Sequence, residues 1–131
     1  MEPIEAVLEA NGRYYGAFEA GDLDGMSSVW EHSERATCTH PGWVTLRGWA
    51  SVAASYFALL QQGQPLQFLL TQVRPAATGD VGWVSLDENL LGPADGGVTI
   101  AALNVFVRHP EGWKMVCHHG SAVAAVLEPG P

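Results

Sequence analysis

Three stretches of this chain hold side chains that can move protons. Cys38 and His40 lie two apart, Asp87 and Glu88 are adjacent, and Cys117, His118 and His119 run together just ahead of Ser121. Tyr14 and Asn104 add a phenol and an amide among apolar neighbours. A histidine with an ordinary pKa of about 6.5 accepts and returns a proton near neutrality without help. A phenol and an amide are hydrogen-bond donors suited to an oxygen that gains charge as a proton leaves the carbon beside it. His40 as acid/base, with Tyr14 and Asn104 as donors, is therefore a candidate trio for proton abstraction or shuffling next to a carbonyl. The bland alternatives stay open: Tyr14 suits a helical core, His40 before Pro41 suits a turn cap, and Asn104 suits cross-strand bonding.

Such side chains act together only if elements bring them to one place. Ile4, Val7, Leu8, Tyr14, Tyr15 and Phe18 recur at helical spacing, with Asn11-Gly12 weakening the middle and Gly21 at the stop. Asp22 is a plausible N-cap for a short helix over Leu23–Trp30. Ala36–His40 and Trp43–Arg47 read as short strands around a Pro41-Gly42 turn. Trp49–Gln62 reads as a third helix with Val52, Tyr56, Phe57 and Leu60 on one side. Leu66–Arg74, Val81–Leu91, Val98–Arg108 and Trp113–Ala122 are β-rich runs separated by turn residues. Helices first and a meander of strands afterwards predict an α+β fold on an antiparallel sheet.

Strand alternation sorts the polar residues by face. On the last run Trp113, Met115, Cys117 and His119 share one face, and Lys114, Val116 and His118 the other. Because the lysine marks the wetter side, His119 is the expected pocket histidine, and His118 is expected on the outer face or at an oligomer contact. Ile100, Ala102, Asn104 and Phe106 share a face, as do Cys38 and His40. One of Asp87 and Glu88 points inward, where it would raise a pocket histidine's pKa. Trp43, Phe57, Trp83, Phe106 and Met115 are expected to wall the ligand site, five tryptophans in all favouring a large apolar ligand.

Other chemistries find less support. If the strands bearing Cys38-x-His40 and Cys117-x-His119 adjoin, four soft ligands could meet, but the spacing matches no known zinc motif, and no metal is expected. Ser121 has no elbow to activate it, and Gly92–Gly97 is no phosphate cradle. Arg47 suits a turn or dimer salt bridge better than an anion site. The 131 residues suit one domain, placed at residues 1–127 with a disordered tail at 128–131. A net charge of −8 with only six Lys and Arg argues against nucleic acid. No run is long and apolar enough to span a bilayer, the acidic start is unlike a signal peptide, and two cysteines make no disulfide framework, so a cytoplasmic protein is expected.

The segments Arg13-Tyr-Tyr-Gly-Ala-Phe-Glu-Ala-Gly-Asp-Leu-Asp-Gly25, Trp30, Thr39-His-Pro-Gly-Trp43 and Arg47-Gly48 resemble the front half of a SnoaL-like domain. Asn104-Val-Phe-Val-Arg, Gly112-Trp-Lys and His118-His-Gly-Ser121 resemble its back half. The resemblance implies a nuclear transport factor 2-like cone, a curved, mostly antiparallel sheet with three N-terminal helices around a single pocket. It also implies a homodimer. Ketosteroid isomerases are distantly similar: their oxyanion tyrosine falls on Tyr14, their second oxyanion donor on Asn104, and His40 stands where they have a general-base aspartate. The expected activity is a cofactor-free isomerase, cyclase or dehydratase acting on a hydrophobic carbonyl-bearing compound, polyketide- or steroid-like, with His119 as an auxiliary polar wall. The alternative is a non-catalytic ligand-binding or dimerisation domain of the same fold.

Overall fold

The computed structural model describes residues 1–61, 66–91 and 97–124; the expected tail at 128–131 lies outside them. Helix α1 (Pro3–Ala20) starts with a proline, whose missing N–H costs nothing in a first turn. It ends at Gly21, which takes a left-handed φ of 65°. The Asn11-Gly12 pair does not interrupt it. Its buried stripe is Val7, Ala10, Asn11, Tyr14, Tyr15 and Ala17, while Ile4 and Leu8, expected on the apolar face, are partly exposed. Asp22 caps α2 (Leu23–Val29) as expected, its carboxylate accepting from the Gly25 N–H at 2.9 Å.

Strands β1 (Thr37–Thr39) and β2 (Leu46–Arg47) flank a turn that leaves Trp43 outside any strand. Helix α3 (Trp49–Leu60) buries Val52, Ser55 and Tyr56. Four long strands follow: β3 (Phe68–Thr78), β4 (Val81–Leu90), β5 (Val98–His109) and β6 (Gly112–Ala122). They form one curved six-stranded sheet in the order β2-β1-β6-β5-β4-β3. Among these strands of the described residues only the β1–β6 pair is parallel. Helix α1 lies across β3, β4 and β6, and the core fills the space between.

Two irregularities shape the interior. On β3 the register shifts between Thr71 and Arg74, with Gln72 at a φ of 54°. The strand then continues through Pro75, where a turn was expected; β3 is an edge strand, so the absent proline N–H breaks no ladder. On β6 Val105 pairs with Cys117 but Phe106 pairs with Met115, so Val116 is an extra residue. That bulge switches the inward phase of β6. Trp113 and Met115 are buried before it, His118 and Gly120 after it.

Candidate functional site

A cavity of about 230 Å³ opens inside the curve of the sheet. Phe18 of α1, Leu59 of α3, Phe68, Leu90 and Ile100 give it apolar walls, and Trp43 stands at its exposed rim. Three polar side chains line it as well: His40, Glu88 and His118, each at least 95% buried. More open grooves lie elsewhere among the described residues. One, between α2 and α3, is lined by Met26, Trp49 and Phe57, and another by Glu31, His32, His109 and Lys114. Neither contains a member of the buried polar cluster that ends at Glu88 and His118.

That cluster has a definite donor–acceptor sense. The Tyr15 hydroxyl donates to Glu88 Oε2 at 2.5 Å, which commits its only proton. Its oxygen can then only accept, and Asn104 Nδ2 lies 3.1 Å away and also donates to Asn11 Oδ1 at 2.8 Å. Asn104 Oδ1 therefore faces His118 Nδ1, at 2.6 Å, and that nitrogen must carry the proton. His118 Nε2 is left with a lone pair, 4.0 Å from Glu88 Oε2. A second set fixes His40. The Ser55 hydroxyl donates to the Val52 carbonyl at 2.6 Å, so its oxygen accepts from His40 Nε2 at 2.9 Å and the lone pair falls on Nδ1.

Burial sets the ionisation of these groups. It pushes the Glu88 carboxyl up to about 7, against the downward pull of the Tyr15 bond. It lowers His40 to about 4, and lowers His118 to about 3 with additional repulsion from His40 and His119. The expectation that an inward carboxylate raises a pocket histidine is thus reversed, because desolvation of the imidazolium dominates. Near neutral pH both imidazoles are acceptors, and Glu88 is partly protonated.

The sequence-based candidates separate into several groups. His40 and Trp43 line the cavity, with their rings 4.9 Å apart. Tyr14 and Asn104 are fully buried behind it: Tyr14 bonds the Tyr56 hydroxyl at 2.6 Å and packs 5.0 Å from the His118 ring. Phe106 and Met115 belong to the core beneath. Phe57 is 51% exposed and lines the α2–α3 groove instead, because Ser55 and Tyr56 take the buried side of α3. Trp83 lies on the outward face of β4 with Ser85 and Asp87, opposite Gly82, Val84, Leu86 and Glu88. His119 is exposed and His118 buried, the reverse of the expected pair, because the Val116 bulge changes the phase. The same bulge prevents a four-ligand cluster. Cys38 stands opposite His118 on adjoining strands, but Cys117 and His119 face outward. Among the described residues no group of three or more His, Cys, Asp or Glu is placed to hold a metal ion.

Tyr15, Asn11 and Ser55 carried no site assignment from the sequence, and Glu88 stood level with Asp87 as the inward carboxylate. Glu88 had a usable signal, since Val84 and Leu86 are apolar while Ser85 and Asp87 are polar. Tyr15 and Asn11 fall on the helix stripe that also carries Val7 and Tyr14.

Residues 7–125, nearly the whole chain, match the SnoaL-like domain family. The chain belongs to the SnoaL-like family. This SnoaL-like domain is 35% identical to an NTF2-like family protein from Streptomyces avermitilis that carries a provisional dehydratase name; the match covers 93% of this chain and 97% of that one at a TM-score of 0.85. It is 33% identical to a protein from Thiobacillus denitrificans provisionally named a calcium/calmodulin-dependent protein kinase type II association domain, over 93% and 99% of the two chains at a TM-score of 0.81. Among curated proteins it is 27% identical over 118 residues to the F-box protein SKIP8 of Arabidopsis thaliana, covering 90% of this chain. The SnoaL-like domain spans about half the length of that relative. These likenesses establish the α+β NTF2-like fold. Among the described residues no helix is long and apolar enough to cross a membrane.

Proposed function

We propose that this domain performs acid–base chemistry on a compact hydrophobic molecule bearing a carbonyl, as an isomerase, cyclase or dehydratase of polyketide- or steroid-like compounds would. One observation carries the reading: a buried Glu88 with a pKa pushed up to about 7 lies 4.0 Å from the unprotonated Nε2 of His118, at an apolar cavity. A group with a pKa near the working pH both takes and returns a proton efficiently. Glu88 and His118 are the acid–base pair in this reading, and His40 is a second acceptor on the same wall. Asn104 and Tyr14 act from behind, Asn104 by fixing the His118 tautomer and Tyr14 by backing its ring. The chemistry draws on the chain's own side chains. Similarity to the Streptomyces protein that carries a provisional dehydratase name supports the reading.

The test is hydrogen–deuterium exchange in D2O at the carbon next to the carbonyl, across a panel of small cyclic ketones with and without a hydroxyl group. Exchange above the buffer rate for at least one ketone, lost about a hundredfold in Glu88→Gln, supports the enzyme. Buffer-rate exchange for every ketone moves the assignment to a ligand-binding or assembly domain. Similarity to the provisionally named association domain favours that second reading. So do Leu69, Val81 and Leu103, exposed apolar residues on the outward face of the sheet. A homodimer that covers this face fits both readings.

A further inference from the structure

The polar side of the cavity presents imidazole lone pairs and one carboxyl, which donates only when protonated, and this restricts what it can hold. His118 Nδ1 spends its proton on Asn104 Oδ1 and leaves Nε2 as an acceptor. His40 Nε2 spends its proton on Ser55, and its Nδ1 lone pair lies 3.9 Å from the Cys38 thiol, so His118 Nε2 is the acceptor left to a ligand. Glu88 Oε2 already accepts from Tyr15, and no protein donor among the described residues reaches Oε1. Neither Lys nor Arg lines the cavity. A ligand carboxylate or phosphate would find no cation there, and would face a carboxylate of its own sign once Glu88 ionises. A ligand that only accepts would leave the His118 lone pair dry and unpaired, which a buried polar group tolerates poorly.

We propose that the cavity selects an uncharged apolar molecule bearing a hydroxyl, whose O–H donates to His118 Nε2 and whose oxygen accepts from Glu88 in its protonated form. The 4.0 Å gap between Nε2 and Oε2 is too long for a direct hydrogen bond and leaves a position that one hydroxyl oxygen can share. Applied to the acid–base reading, on which this inference rests for its site, the substrate is a hydroxylated ketone rather than a simple one. Donor recognition is nevertheless a binding property and is measured without turnover.

The full chain is titrated with 2-naphthol, 2-methoxynaphthalene and 2-naphthoate by calorimetry, with the imidazole 15N resonances followed in parallel. The expected result is naphthol binding about tenfold or more tighter than its methyl ether, with the carboxylate weakest. His118 Nε2 is expected to resonate as an unprotonated nitrogen in the free protein and to move upfield with naphthol but not with the ether. Equal affinity for naphthol and ether overturns the inference, as does tightest binding of the carboxylate or an unprotonated Nδ1 in the free protein. Failure of all three compounds to bind overturns it together with the cavity assignment. Naphthol preference without ketone exchange retains the donor rule and removes the enzyme, so the two proposals fail separately.

Discussion

Tyr15 of α1 donates its hydroxyl proton to Glu88 of β4 at 2.5 Å, joining residues 73 apart in sequence at the buried end of the cavity. The bond ties the first helix to the sheet and sets the sense of every hydrogen bond behind it. Tyr15→Phe removes a donor to the carboxylate, and with it the influence that lowers the Glu88 pKa. The Glu88 pKa is expected to rise further, and stability to fall by about 1–3 kcal/mol as Asn104 also loses an acceptor. A 13C titration of Glu88 and a urea unfolding curve measure the two effects; an unchanged titration would refute the assigned bond.

Stability should pass through a maximum near pH 6.5. Glu88 has a folded pKa of about 7, raised from 4.5, so the native state holds its proton more tightly. Its contribution, on the order of 3 kcal/mol, is complete below pH 4.5 and lost as pH rises through 7. His40 and His118 have the opposite sign: lowered from 6.5 to about 4 and 3, they stabilise above pH 6.5 and lose that contribution as pH falls. Between pH 4.5 and 6.5 these two histidines outweigh the single carboxyl. Glu88→Gln should therefore flatten the alkaline side and steepen the acid side, as read by denaturant midpoints from pH 4 to 8. A variant profile parallel to wild type would show that Glu88 titrates normally.

Gly82 faces α1 on the inward side of β4, where an added Cβ would overlap Val7 Cγ2 and meet the Trp113 ring at 3.4 Å. Gly82→Ala is expected to destabilise by about 1–3 kcal/mol through overpacking. Thermal unfolding checks this, and a Tm at or above wild type contradicts the close packing of α1 on β4.

Glu31 joins the segment after α2 to the β5–β6 turn. Its carboxylate accepts from Ser33 and Arg35 at 2.6 Å and from His109 at 2.5 Å, and the Arg35 bonds above all hold its pKa down to about 2. Arg35 is largely exposed, so its share of the stability is small. Glu31→Gln should cost about 1–2 kcal/mol, mostly from the Ser33 and His109 contacts, and Arg35→Ala distinctly less. Equal losses in the two variants would place the energy in the ion pair instead.

Element types were legible along most of the chain. Turn residues and apolar spacing place three helices before the long strands, and Asp22 and Gly21 bound their helices as expected. On β5 the strand period runs inward as expected, with Ile100, Ala102, Asn104 and Phe106 all buried, whereas on β4 Trp83 faces outward although it was expected at the ligand site. The same rule failed on β6. One extra residue at Val116 reverses the phase, and nothing in the pattern of that run marks where a bulge must fall.

By itself, then, the sequence determined the α+β order, the place of Tyr14 on the apolar stripe of α1 and the shared face of Asn104 with Ile100, Ala102 and Phe106, because these follow from local periodicities of 3.6 and 2. Tertiary structure alone decided that His118 rather than His119 meets Glu88, and that Tyr15, Asn11 and Asn104 orient them. Those pairings join residues 14 to 93 positions apart through strand register and helix docking. Their proton positions depend on which neighbour has already spent its own, a property of the assembled network and of no single residue.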